Sequence, residues 1–184
     1  MDSTLFPIDF ISATVRNSVR APFVMRPICP SDYDKGVLNV LGNLTTVGNI
    51  TRDQFYSRFS YFKKHAHEYF IIVIENVPVG KIVACGTMLL ERKFIHNCGM
   101  VGHLEDVVTL PEVRGMLFGK AIIDGLTSIS SHLGAYKTIL DCNAKNVTFY
   151  AAKCNYVLKE YQMVIYHNKD DNAKSGGDKI SPKL

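Results

Sequence analysis

The sequence predicts a single α+β (mixed α/β) domain in which helices alternate with the strands of one sheet. Three observations carry this prediction. Segments of strand and helix periodicity follow one another in the order β-α-α-β-β-β-α-β-α-β. Two apolar strands, 69–75 and 81–91, flank the short turn 76–80, as a hairpin requires. A further strand, 103–109, runs through a glycine-containing loop straight into an amphipathic helix.

The elements follow in chain order. Residues 23–28 read as the first strand, ended by Pro30, and Ser31 offers an N-cap for a helix to about Leu41. The next helix spans 51–64 and places Phe55, Phe59 and Phe62 on one face, a stripe expected in the core. After the hairpin and the 103–109 strand, Pro111 marks the exit. The helix 119–133 is stopped by Gly134 as its C′ residue. A short strand (137–141), a short helix (147–153) and a last strand (156–167) complete the domain, 23–167. Residues 1–22 are poorly periodic and are expected to form an arm. The final seventeen residues, 168–184, are rich in Asp, Lys, Gly and Ser and are expected to be a disordered tail.

Composition excludes several classes. A chain of 184 residues that is 47% hydrophobic can bury one sizeable core. Its net charge of +4 is spread along the chain, which suits a small anionic ligand. No run of Lys and Arg is interleaved with aromatics, so nucleic acid is not expected. The longest apolar run, 69–74, is far short of the roughly 20 residues that span a bilayer. Asp2 and Asp9 stand where a secretory leader would carry basic residues. Five cysteines without CxxC spacing read as reduced thiols of a cytoplasmic protein. No metal is expected, because His65 and His67 have no further ligands nearby.

The chemistry concentrates in HLEDVVTLPEVRGMLFGKAII, from His103 to Ile123. A basic residue, two glycines and a helix N-terminus in succession form a cradle for an anion. A P-loop is excluded, since Gly115 and Gly119 are separated by three residues rather than four and Lys120 is followed by Ala121. A Rossmann fingerprint is absent as well. An ordinary βα connection remains the plain alternative.

The loop resembles the pyrophosphate signature of the GCN5-related N-acetyltransferases, Arg/Gln-x-x-Gly-x-Gly/Ala. Arg114-Gly115-Met116-Leu117-Phe118-Gly119 matches its first and last positions, with Leu117 in place of the first glycine. From about Phe23 to His167 the chain resembles the glucosamine 6-phosphate N-acetyltransferases of that family. The resemblance rests on Leu44-Thr45-Thr46-Val47-Gly48, Glu91-Arg92-Lys93-Phe94-Ile95-His96 and Gly102-His103-Leu104-Glu105-Asp106-Val107-Val108. It also rests on Leu140-Asp141-Cys142, Lys145-Asn146-Val147 and Phe149-Tyr150. It implies a GCN5-related fold, a central mixed sheet flanked by helices. It also implies acetyl-CoA as co-substrate, glucosamine 6-phosphate as acceptor, a homodimer, and a place in UDP-N-acetylglucosamine biosynthesis.

Residue roles follow from the same resemblance. Asp106, Val107 and Val108 would meet the pantetheine and thioester through the backbone, and Arg114 to Lys120 the pyrophosphate. Asn146 and Tyr150 would also contact the cofactor, with Tyr150 protonating the departing thiolate; packing is the alternative for Tyr150. Glu105, Asp106 and Asp141 are the acids available to hold the sugar amine and relay its proton. Strand alternation puts Glu105 and Asp106 on opposite faces, so they are not expected to share a role. Thr45, Lys93, Phe94, Ile95 and His96 match sugar-phosphate positions, although His96 could instead be structural. Near the end of the last strand the family carries an arginine, and here Tyr166 stands in that place. Direct transfer in a ternary complex is expected, since no Cys–His pair argues for an acyl-enzyme. Two other readings compete: an acetyltransferase for a different amine, and a catalytically weak acetyl-CoA-binding regulator.

Overall fold

The most apolar stretch of the sequence becomes the centre of a sheet. In the computed structural model, which describes residues 3–167, β1 (Phe23–Pro27), β2 (Tyr69–Asn76), β3 (Lys81–Arg92), β4 (Met100–Thr109) and β5 (Lys137–Leu140) lie side by side in sequence order. All neighbours are antiparallel except β4 and β5, which are parallel. The sheet is therefore mixed. Phe70 to Ile74 of β2 are buried without alternation, because both faces of this strand are covered. The polar tail expected at 168–184 lies outside the described residues.

One face of the sheet carries α5 (Phe118–His132), which buries Phe118, Ile122, Ile123, Leu126 and Ile129. Two glycines set how closely it lies. A Cβ on Gly86 of β3 would stand 2.4 Å from the Ile122 side chain, and one on Gly102 of β4 would stand 2.4 Å from Ser130 Oγ. Even-numbered positions of β3, and of β4 as far as Leu104, thus face α5. Their odd-numbered neighbours face the other way, towards α2 (Val37–Leu41) and the segment that follows it.

Helix α3 (Arg52–Lys64) starts at a reciprocal capping box. Thr51 Oγ1 accepts from the Gln54 amide, and Gln54 Oε1 accepts from the Thr51 amide at 2.8 Å. Phe59 is buried, and Phe55 and Phe62 pack against the core, as the stripe predicts. Gly134 ends α5 at φ +82°, as expected of a C′ glycine.

Two expected elements differ. The helix from Ser31 to Leu41 is broken into a 3-10 turn, Pro30–Tyr33, and α2. Gly36 at φ +79° separates them, and Asp32 rather than Ser31 closes the turn by accepting from the Cys29 amide at 2.8 Å. The last strand, 156–167, does not form: no strand pairs with it among the described residues, and Val157, Tyr161, Met163 and Ile165 point into solvent. Backbone in strand conformation needs a neighbouring ladder. The open edge of β5 and this apolar segment each lack one. By contrast, the N-terminal segment is packed. Leu5, Phe6 and Ile11 are buried, α1 (Ala13–Ser18) contacts α5, and the Leu5 amide donates to Ile28 O at 2.9 Å.

A buried ion network locks β1, β2 and the 3-10 turn together. Arg26 donates to both Asp32 oxygens at 2.8 and 2.6 Å and to Glu75, while Lys35 donates to the other Glu75 oxygen at 2.6 Å. Burial alone would raise the Glu75 carboxyl. The hydrogen bonds from Lys35 and Arg26 outweigh it and hold Glu75 below the usual range.

Candidate active site

The sheet opens where β4 changes register. Cys85 of β3 pairs with Val108 and Thr87 with Glu105, so Asp106 and Val107 together oppose Gly86. Asp106 takes φ +54°, the left-handed value that such a bulge imposes. Pairing of β4 with β5 ends at Leu104 and Leu140. Beyond that point the strands splay, and the β5 side of residues 105–109 keeps backbone groups with no ladder partner among the described residues. A cleft with unpaired amides along one wall can hold an extended, amide-bearing ligand.

Acids gather at this opening. Asp141 follows β5, and its charge reaches Glu105, as does that of Asp106. Burial, then Asp106 and Asp141, push the Glu105 carboxyl above the ordinary range, and burial does the same to Asp106. The bulge removes the expectation that Glu105 and Asp106 are kept apart by strand alternation. A residue at φ +54° does not continue the pleat, and the two acids interact. Asp141 is exposed and accepts from Gln162 Nε2 at 3.0 Å, so the segment after α6 (Val147–Cys154) folds back to this acid.

Tyr150 lies on α6, half-buried against the core, with Tyr156 at 6.4 Å between ring centroids. Burial raises its phenol, with smaller contributions from Cys142 and Cys154. Its hydroxyl has no hydrogen-bond partner among the described residues, so it is available as a proton donor. Tyr150, Asp141 and Cys142 line one cavity of about 830 Å³ between α5, β5, α6 and residues 155–160. This cavity runs along the open β5 edge rather than into the splay. Its size reflects the uncovered edge, and the reacting groups sit at its margin.

At the other end of the cleft, β4 leads to the turn before α5. Arg114 to Leu117 are exposed, and Gly115 has φ +89°. Leu117 is itself left-handed at φ +60° and supplies no side-chain cap. The first intrahelical bond runs from the Ala121 amide to Leu117 O at 3.0 Å, so the amides of Phe118, Gly119 and Lys120 precede it and remain available. Gly119 leaves open space, with Thr109 and Phe149 only at ordinary contact distance from a built Cβ. Arg114 makes no ion pair among the described residues, whereas Lys120 pairs with Asp124. Free amides, a helix dipole and an unengaged guanidinium fit a pyrophosphate.

The remaining sequence-predicted residues separate into two groups. Lys93 is tied to Glu91 at 2.6 Å, and Glu91 in turn meets His103 Nε2 at 2.7 Å. Next to Lys93 the chain makes α4 (Ile95–Cys98), a single turn in which His96, Asn97 and Cys98 all have positive φ. A left-handed turn of non-glycine residues stores strain, about 1–2 kcal/mol per residue. Phe94 and Ile95 are exposed at its start, and the His96 ring packs on Tyr136 with centroids 4.1 Å apart. Thr45 lies exposed in the segment after α2. Asn146 is exposed at the N-cap of α6, the Val108 side chain belongs to the core, and Tyr166 lies in the C-terminal stretch that forms neither helix nor strand. Sequence reasoning passed over Glu91 and His103 as site residues. The available signal was the spacing of two in Glu91/Lys93 and His103/Glu105 on neighbouring strands. No cluster of His, Cys, Asp and Glu suited to a metal occurs among the described residues.

Comparison with known proteins bears directly on this geometry. The sequence model of the acetyltransferase (GNAT) family matches residues 41–156. The chain is 45% identical over 141 residues to glucosamine 6-phosphate N-acetyltransferase 1 of Dictyostelium discoideum, covering 77% of this chain and 88% of that protein. It is 40% identical to the Arabidopsis thaliana glucosamine 6-phosphate N-acetyltransferase, covering 78% of this chain and 96% of that protein. The crystal structure of glucosamine-6-phosphate N-acetyltransferase from Arabidopsis thaliana superposes with a TM-score of 0.78 at 39% identity, covering 79% of this chain and 99% of that one. A Trypanosoma brucei acetyltransferase structure gives 0.72 at 31% identity, covering 78% and 99%.

Proposed function

Because the chain belongs to the acetyltransferase (GNAT) family and is an acyltransferase using acetyl-CoA, we propose that it acetylates the amine of glucosamine 6-phosphate. The observation that carries this reading is the splay at the Asp106 bulge, with an anion-binding turn at one end and uncompensated acids at the other. When bound, acetyl-CoA supplies the acetyl group as a thioester. Arg114 and the amides of residues 118–120 hold its pyrophosphate, and the unpaired β4 backbone beyond Leu104 holds the pantetheine, with Asn146 beside it.

The residues of the chain then divide the work. Glu105, with its raised affinity for protons, accepts one from the sugar ammonium, while Asp141 and Asp106 hold the amine. Backbone N–H groups at Asp106 and Val107 stabilise the developing oxyanion, a contribution of roughly 10²–10³ in rate for one donor. Tyr150 gives its proton to the thiolate. Transfer is direct, within a ternary complex. Lys93, Thr45 and the strained turn at Phe94, Ile95 and His96 receive the sugar phosphate. Tyr166 reaches that site from the partner of a homodimer in which residues 156–167 of each copy find the strand partner they lack alone. The product, N-acetylglucosamine 6-phosphate, feeds UDP-N-acetylglucosamine synthesis in the cytoplasm, where the five cysteines stay thiols.

Thiol release from acetyl-CoA, measured with glucosamine 6-phosphate, glucosamine or spermidine, tests the substrate. Turnover only with the phosphorylated sugar supports the reading, and turnover with spermidine alone rejects it. Sedimentation should give about twice the 20.6 kDa chain mass. A fully active monomer would reject the shared site.

A further inference from the structure

Four side chains stand in a row on the face of the sheet turned away from α5. Glu91 comes from β3, Lys93 follows just past its end and reaches back to Glu91, and His103 and Glu105 come from β4, two residues apart and so on one side of the strand. Register brings the strands together, with Thr87 opposite Glu105, Leu89 opposite His103 and Glu91 opposite Val101. The side-chain contacts follow this row. Lys93 Nζ donates to Glu91 Oε1 at 2.6 Å, and His103 Nε2 lies 2.7 Å from Glu91 Oε2. Both carboxylate oxygens of Glu91 are therefore taken by basic groups, and the imidazole is oriented by one of them. The other charged groups on this face are Asp106 at the bulge, Lys137 on β5 opposite Val101, and Asp141 beyond β5. Helix α2 and residues 42–50 after it carry no charged side chain.

We infer that Glu91 and His103 are positioning residues for Glu105: Glu91 holds the imidazole on the strand face that Glu105 shares, where it favours the carboxylate form that takes the proton of the amine. The inference rests on acetyl transfer to an amine at this site. Its physical need is plain. Glu105 is pressed towards its neutral form by burial and by two acids, and a neutral carboxyl cannot accept the proton of an ammonium group. Among the groups that act on Glu105, His103 alone pulls in the opposite direction. Lys93 and His103 hold Glu91 itself below the usual carboxylate range, so Glu91 stays an anion and can serve as the anchor. Because Lys93 shares that anchor, the group proposed to receive the phosphate and the group proposed to receive the proton are set by one carboxylate.

The test reads Glu105 directly. Protein carrying ¹³C at glutamate side-chain carboxyls is titrated by NMR, and the Glu105 signal is identified by its loss in Glu105→Gln. His103→Gln and Glu91→Gln should each raise the Glu105 midpoint by roughly one pH unit. The acidic limb of kcat/KM for glucosamine 6-phosphate should move by the same amount, with KM for acetyl-CoA unchanged. A midpoint unmoved in His103→Gln overturns the inference, and so does one moved in His103→Gln but not in Glu91→Gln. Should His103→Gln fail to fold, Glu91→Gln decides by the same readout. Wild-type protein that does not turn over glucosamine 6-phosphate would end the substrate assignment, while the NMR midpoints would still decide the role of His103.

Discussion

The sheet carries pairs of acids at two places, one buried and one exposed, and they have opposite surroundings. Near β1 and β2, Asp32 and Glu75 are met by Arg26 and Lys35, and every oxygen has a cationic donor. At the β4 bulge, Asp106 and Asp141 both act on Glu105, and the basic group that acts on it, His103, is already engaged by Glu91. The first arrangement lowers a carboxyl and joins three segments. The second raises two carboxyls and joins nothing. The same residue types thus serve stability where they are buried and paired with a guanidinium, and reactivity where they lie exposed at the cleft without one.

Breaking the saturated end should have the largest effect. Arg26→Met leaves Asp32 and Glu75 buried without their shared donor, and urea unfolding should show a loss of about 3–5 kcal/mol. Any fall in activity should follow only the unfolded fraction. At the other end, Glu105→Gln should lower turnover by roughly 10²–10⁴-fold while melting temperature holds or rises. A drop in stability like that of Arg26→Met would erase the contrast. Tyr150→Phe removes only the proton for the leaving thiolate, so turnover should fall roughly 10²-fold with acetyl-CoA affinity unchanged within a few-fold. Unchanged turnover would make Tyr150 a packing residue.

Acidification sharpens the same contrast. The Glu75 carboxyl is lowered on folding, so its contribution is present above the unfolded value of about 4.3 and is lost as pH falls through the folded value. Glu105 and Asp106 are raised, so their contribution is present below their unfolded values and is lost as pH rises through the folded ones. Melting curves should therefore show Glu105→Gln gaining on wild type towards neutral pH, and Glu75→Gln losing to it there. The smallest effect is expected at Leu117, where Leu117→Gly relieves a left-handed leucine and should stabilise by up to about 1 kcal/mol in thermal unfolding.

Leu117 also shows how the sequence could be read. The family motif has glycine at this position, and the leucine keeps the left-handed backbone that the glycine would favour, so the loop survives a departure in its letters. The β2–β3 hairpin, α3 with its Thr51–Gln54 box, and α5 were legible because local chemistry specifies them. Three features were not. The break at Gly36 depends on one residue adopting φ +79°, and the bulge at Asp106 overrides the alternation from which its side chain would be placed. The strand expected at 156–167 has the right residues, but a single copy offers it no paired neighbour.

That last segment has a consequence for the newly made chain. Val157, Tyr161, Met163, Val164 and Ile165 form an exposed apolar strip, and the edge of β5 is open beside the same part of the molecule. Bare edges and apolar extended segments are the features through which chains stick to one another out of register. Where the proposed homodimer buries this strip, the interval between release from the ribosome and assembly is the hazardous part of the protein's life. Its length depends on how many copies are present, so dilution, which protects most proteins from aggregation, here also prolongs the exposure.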